Sequence, residues 1–277
     1  MTKRIVLCAD DYGQVPSISF GIIDLLAKNR LSATSCLVNC EGWFEQAALL
    51  IPFKFQADIG LHFNLTEGKP LSQIFKKTYG DALFSLPMLM LKAGARTLNQ
   101  AVIAAECEAQ ILQFREATGF LPRFIDGHQH VHQFPIVREA VLHTYEKHLR
   151  KERAYVRLAR EKIEIKMLDV LANFKKLTIN AMGANVLKKH LVDKNIDHNQ
   201  SFSGIYTFSQ ASYYEECFRQ FLAAIGDYGI IMCHPGLTSS GENDAIGEAR
   251  YAEYQYFSSE QFLEDCEAFD VEISRFP

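Results

Sequence analysis

Phe124-Ile125-Asp126-Gly127-His128-Gln129-His130-Val131-His132 places three histidines and an aspartate directly behind a short apolar run. Gly119 and Pro122 end the preceding helical pattern, so Phe124-Ile125 read as the start of a strand and the polar residues as its carboxyl end. The arrangement recurs. Ile5-Val6-Leu7-Cys8-Ala9 runs into Asp10-Asp11, Ile59-Gly60-Leu61 into His62, and residues 229–233 into His234-Pro235-Gly236. Ligands of α/β folds gather at the carboxyl ends of the strands, so polar clusters at several such ends imply one assembled site.

The intervening segments carry helical periodicity. Pro16 and Ser17 open a helix with Ile18, Ile22, Leu25 and Leu26 on one face. A strand near residues 34–38 and a helix near 43–50 lead to the strand at 58–62. Residues 63–98, rich in Gly, Pro and Lys, read as a long functional loop folded over one end. Ile103, Cys107, Ile111 and Phe114 then mark an amphipathic helix, and Val137, Val141 and Tyr145 another. Residues 155–158 read as a strand, 161–190 as largely helical and 193–203 as loop. Tyr214, Phe218, Phe221, Leu222 and Ile225 define a late helix, with Ser212 and Glu215 spaced as a capping box. Ser258 and Gln261 offer a cap for the last one. Strands alternating with helices imply a parallel sheet, closed as a barrel or doubly wound. No repeat, low-complexity tract or linker divides the 277 residues, so one domain is expected.

Bulk composition narrows the function. The chain is 48% hydrophobic, and 29 basic residues against 33 acidic ones give a net charge of −4. No basic block marks a nucleic-acid partner. The cations between Lys147 and Arg160, Arg157 among them, alternate with acids and read as a solvated helix end. No apolar run reaches membrane-spanning length, and the first residues do not resemble a signal peptide. Seven scattered cysteines without a Cys-x-x-Cys pair fit reduced thiols, and a cytoplasmic location is expected.

Asp10 and Asp11, as neighbours on an extended segment, should point to opposite sides, which favours a division of labour over a bidentate clamp. Capping the helix at Pro16 is the plainer alternative. In the histidine stretch, strand alternation would align Asp126, His128 and His130, whereas an early helix would align His128 with His132. Both geometries put imidazoles near a metal, and the sequence does not choose. No Gly-x-Ser-x-Gly elbow, Walker loop or dinucleotide fingerprint is present, which disfavours nucleophilic serine or cysteine chemistry.

Four segments together resemble the YdjC-like family, which includes the chito-oligosaccharide deacetylases. They are Ala9-Asp10-Asp11-Tyr12-Gly13, residues 60–70 with His62 and Asn64, Asp126-Gly127-His128-Gln129-His130-Val131-His132, and His234-Pro235-Gly236, in the family's order. The resemblance implies a distorted TIM-like β/α barrel with mostly parallel strands. It implies that Asp11, His62 and His128 ligate one divalent metal, with Asp10 as general base and His234 as acid partner. Tyr12, Asn64, Asp126, His130 and His132 become contacts to substrate or to the ligands. Magnesium or zinc heads the metals to be expected, and manganese, cobalt or nickel also suit mixed N and O ligands. The implied activity is metal-dependent removal of acetyl groups from an N-acetylated sugar, with a homodimer as the expected assembly. The alternatives are a metal-dependent hydrolase of another bond, such as a phosphoester served by two metals, or a non-catalytic sugar-binding barrel.

Overall fold

The computed structural model describes residues 2–161, 180–237 and 244–277. Strand β1 (Lys3–Tyr12) lies between β2 (Ala33–Cys36) and β7 (Gly229–Cys233). β3 (Asp58–Phe63), β4 (Phe124–Gly127) and β5 (Tyr155–Val156) continue the sheet from β2, and β6 (Phe202–Ser203) continues it from β7. All of these pairings are parallel. A bridge from Val156 to His198 brings the two ends of the sheet together. There the Asn199 side chain imitates a strand, accepting from Leu158 N at 2.7 Å and donating to Leu158 O at 2.9 Å. The result is a distorted parallel barrel. β8 (Val271–Ile273) pairs with the first residues of β1 on the edge away from β7.

Side-chain alternation divides the apolar residues in two. Ile5, Leu7 and Ala9 join the large core beneath the helices, whereas Val6 and Cys8 join Ala33, Phe124, Tyr155, Phe202, Ile230 and Met232 inside the barrel. Phe124 stacks on Tyr155 at 4.9 Å and Phe276 covers Tyr155 at 4.2 Å, which plugs the amino-terminal end. Each such aromatic pair adds about 0.5–1.5 kcal/mol beyond its area. Gly60 makes the plug fit, because a Cβ there would lie 2.4 Å from the Phe124 ring.

The same parity explains the site. Moving two residues along each strand replaces plug by polar group: Cys8 gives way to Asp10, Phe124 to Asp126, Tyr155 to Arg157 and Gly60 to His62. The carboxyl end of the barrel is therefore polar for the reason that its amino end is dry.

The helix Gln100–Thr118 buries Ile103, Cys107, Ile111 and Phe114 as its periodicity requires, with Asn99 as cap. Residues 63–98 are not one loop. They hold the helices Gln73–Tyr79 and Leu86–Gly94, the first capped by Ser72. Pro87, which interrupts the apolar run in sequence, occupies the first turn, where a missing N–H costs nothing. Both helices are too short for periodicity to declare them. The Ser212–Glu215 capping box is absent, since Ser212 lies in a 3-10 turn (Phe208–Tyr213) before the helix Tyr214–Ala224. The last helix, Glu260–Ala268, is capped by Ser259 instead of Ser258, because a further helix, Gly247–Ser258, ends there. Of the helical reading for 161–190, residues 162–179 lie outside the described residues, and Asn185–Asp193 is helical. No described helix is long and apolar enough to cross a membrane.

Candidate metal centre and active site

β1 does not stay regular where the aspartates fall. Its pairing with β2 passes from Ala9↔Thr34 to Tyr12↔Cys36, so two residues, Asp10 and Asp11, oppose Ser35 alone. Asp11 adopts φ 67°, a left-handed conformation seldom taken by a non-glycine residue. This bulge overturns the expectation that the two carboxylates point to opposite sides. Both approach one nitrogen: His62 Nε2 lies 3.8 Å from Asp10 Oδ2 and 3.5 Å from Asp11 Oδ1. Neither aspartate caps the following helix, whose N-cap is Val15.

His128 completes the group, its Nδ1 3.0 Å from the same Asp11 Oδ1. Asp11, His62 and His128 are all buried and each offers a ligand atom within 4.8 Å of the others. Asp11 Oδ1 makes no well-directed hydrogen bond although it is buried. An orphaned carboxylate oxygen facing two imidazole nitrogens fits a divalent cation, which prefers mixed N and O donors in this number.

Each imidazole is anchored through its other nitrogen. His62 Nδ1 lies 2.6 Å from Asp126 Oδ1, and His128 Nε2 lies 3.0 Å from Glu67 Oε1. Carboxylates in this position fix the ring and its tautomer. The second partner extends into a closed ring. Glu67 Oε2 accepts from Gln14 Nε2 at 2.6 Å, Gln14 Oε1 accepts from Arg250 Nη2 at 3.0 Å, and Arg250 Nη2 donates to Asp11 Oδ2 at 2.7 Å. Asn64 shapes the loop carrying Glu67, its Oδ1 accepting from Glu67 N and its Nδ2 donating to Glu67 O.

The base candidate is held more tightly still. Arg157, fully buried, donates to Asp10 Oδ1 at 2.6 Å and Oδ2 at 2.8 Å, and its Nε lies 3.0 Å from Asp126 Oδ2. The reading of Arg157 as part of a solvated helix end is therefore wrong. Charge alternation suggested a surface, but position in the strand decides, for Arg157 follows Tyr155 by two residues and faces the barrel interior. The guanidinium also fills the second cluster of metal-type side chains, Cys8, Asp10 and Asp126. Of the two such clusters among the described residues, this one therefore already holds a cation.

The histidine stretch follows neither template. The strand stops at Gly127, and Gln129 and His130 adopt φ 53° and 59° within a 3-10 turn, His128–Gln133. His128 reaches the ligand group. His132 turns its Nε2 to Arg157 O at 2.8 Å and thereby supports the clamp. His130 sets its ring edge against Phe202 at 5.9 Å. Tyr12 is fully buried in the main core, its hydroxyl donating to Gln46 O at 2.6 Å. His234 directly follows β7, whose last residue, Cys233, pairs with Ala9, the residue before Asp10.

Burial and ion pairing compete at every group. Burial raises Asp11, but Arg250 and His128 outweigh it and hold its carboxyl well below the usual range. Burial likewise raises Asp126, and Arg157 with His62 takes it down to about 2. Burial lowers His62, yet Asp126 and Asp10 carry it up to about 10, and Asp11 carries His128 up to about 9 against the same opposition. For His132 burial prevails, down to about 4, so this ring is neutral at pH 7. The sign for metal binding follows. Without metal at pH 7 both His62 and His128 hold a proton that they must lose to become ligands. Uptake of zinc at pH 7 is expected to release close to two protons per ion, with affinity climbing as pH rises towards 9. Titration calorimetry in buffers of different ionisation enthalpy measures this, and proton-neutral uptake would contradict it.

Arg157, Arg250, Gln14 and Glu67 escaped the sequence reading. Strand parity could have found Arg157, because it stands two residues past an aromatic plug as Asp126 does. The others lie on helices and loops, where no local signal marks them.

An α/β barrel with an Asp-His-His cluster and a clamped second aspartate at its carboxyl end has the layout of a metal-dependent hydrolase. The comparisons agree with a hydrolase. The model of the family described as YdjC-like protein matches residues 4–268, and the chain belongs to this family. A carbohydrate deacetylase of Danio rerio is 30% identical over 283 residues, covering 88% of this chain and 85% of that protein. A chitooligosaccharide deacetylase of Proteus mirabilis is 36% identical over 143 residues, covering 50% of this chain and 55% of that one. A crystal structure of an Enterococcus faecalis protein, provisionally named for cellobiose-phosphate cleavage, superposes with a TM-score of 0.69 at 17% identity. It covers 100% of this chain and 98% of its own, a likeness of fold.

Proposed function

We propose that the chain is a metal-dependent hydrolase that releases acetate from an N-acetylated sugar or short oligosaccharide. The observation that carries the reading is the orphaned Asp11 Oδ1 between His62 Nε2 and His128 Nδ1, with a second carboxylate beside the same imidazole. The names of the Danio and Proteus relatives support the substrate class. Asp11, His62 and His128 would hold one ion, with zinc or magnesium first among those the donors suit. Such an ion, when bound, would acidify water, in the case of zinc towards a pKa of about 7, and polarise an acyl oxygen.

The protein's own groups do the rest. Asp10 takes a proton from the attacking water, and Arg157 fixes both of its oxygens so that the accepting lone pair faces the ligand group. Asp126 orients His62 and Glu67 orients His128. His234 delivers a proton to the amine, which otherwise leaves poorly. The carboxylate beside the ligand aspartate is what a mere sugar-binding barrel would not need. Against the two-metal phosphoester reading, the second cluster of metal-type side chains among the described residues is filled by the Arg157 guanidinium.

Acetate release from a panel of N-acetylated sugars, with and without chelator, is the direct test. Asp10→Asn is expected to retain the ion while kcat falls about 10²–10⁴-fold, the usual worth of general base catalysis. Activity that survives complete removal of metal would defeat the proposal.

A further inference from the structure

We propose that Glu253 is a positioning residue for His234. Its buried carboxylate grips the main-chain N–H of His234 and the Tyr206 hydroxyl together, and so fixes where the imidazole meets the departing amine. The proposal rests on the preceding assignment of His234 as proton donor.

Glu253 lies on the inward face of the helix Gly247–Ser258 and has no solvent exposure. Oε1 accepts from Tyr206 Oη at 2.6 Å, and Oε2 accepts from His234 N. Tyr206 follows β6 and His234 follows β7, so one carboxylate ties together the exits of two neighbouring strands. Stability alone would not choose it. An apolar side chain at a fully buried helical position avoids the desolvation penalty of a carboxylate, and such replacements are often neutral or stabilising. What an apolar residue could not do is hold a main-chain N–H at the end of β7.

The rest of the turn is restrained in the same way. Arg250 O accepts from Gly236 N at 3.0 Å, and Ser17 O accepts from Leu237 N at 3.3 Å. On the other side Gly21 comes so near that a Cβ there would lie 3.2 Å from Gly236 Cα. Pro235 fixes its own φ and brings no donor. The His234 ring sets its edge against Phe208 at 5.4 Å. One turn before Glu253 on the same helix, Arg250 holds Asp11 Oδ2. A single helical face therefore sets the donor histidine in register with the ligand carboxylate, as residues three apart on a helix are neighbours.

Leaving-group dependence separates positioning from general damage. An amide needs its amine protonated, whereas 4-nitrophenyl acetate expels a stable phenolate without help. Each variant is assayed on the N-acetylated sugar most active in the panel and on 4-nitrophenyl acetate, with metal content measured alongside. His234→Ala is expected to lower the amide-to-ester ratio of kcat by about 10²-fold. Glu253→Met, similar in length but with no oxygen to accept from His234 N, should lower it by about tenfold, with KM within about twofold and one metal per chain, and should add nothing to His234→Ala in the double variant. Glu253→Asp, which keeps the charge but withdraws it by one methylene, should behave like Met and serves if the Met variant does not fold. An unchanged ratio in His234→Ala, or a panel that yields no acetate, would overturn the donor assignment and this proposal with it. A changed ratio in His234→Ala but not in either Glu253 variant, or equal losses on both substrates, would overturn the positioning role alone.

Discussion

Arg157→Met is expected to cost the fold about 3–5 kcal/mol, because it removes the guanidinium that pairs with both buried carboxylates, Asp10 and Asp126, and leaves only the His62 imidazole beside them. Both carboxylates are almost inaccessible, at 1% and 0% exposure, and the guanidinium touches each of them within 3.0 Å. Breaking a buried ion network from one side is costly in a way that removing all its members is not. The melting temperature should fall on the order of 10 °C. Arg157→Lys should recover little, since an ammonium cannot span two oxygens of Asp10 and one of Asp126 in a fixed plane. Thermal unfolding followed by circular dichroism gives the answer. A melting temperature within a degree or two of wild type would show that Arg157 does not neutralise the barrel interior.

Asp11→Asn should still fold, as the amide oxygen can accept from Arg250 and Asp244 continues to pair with that guanidinium. Metal content should drop from one ion per chain to near zero, and acetate release should fall by about 10³-fold or more. The size follows from the several kcal/mol that a metal contributes to the transition state. Inductively coupled plasma analysis and an acetate assay on the same preparation test both halves. Full occupancy with normal turnover would mean that the ion sits elsewhere.

Much of this was legible without coordinates. Apolar runs ending in Asp10-Asp11, His62, Asp126 to His132 and His234 mark strand ends, and a parallel α/β sheet brings such ends to one edge. The candidate ligands Asp11, His62 and His128 and the neighbouring Asp10 could thus be named from the residues and their resemblance to a family. The helices within residues 63–98 were not legible, because a first-turn proline resembles a break and two short helices carry too few periods to show. The Gly247–Ser258 helix was missed as well, and with it Arg250 and Glu253.

The sequence by itself determined which residues could act and at which end of the barrel, since strand parity and apolar patterning are local properties of the chain. Only the tertiary structure decided how they face one another. A period of two predicts opposite directions for Asp10 and Asp11, and a left-handed residue within a bulge cancels that prediction. Likewise the two left-handed residues at Gln129 and His130 send three histidines to three different partners. Such conformations cost energy locally; the one at Asp11 persists because long-range ion pairs, Arg157 on Asp10 and Arg250 on Asp11, hold the bulge, and no local window of sequence contains both partners.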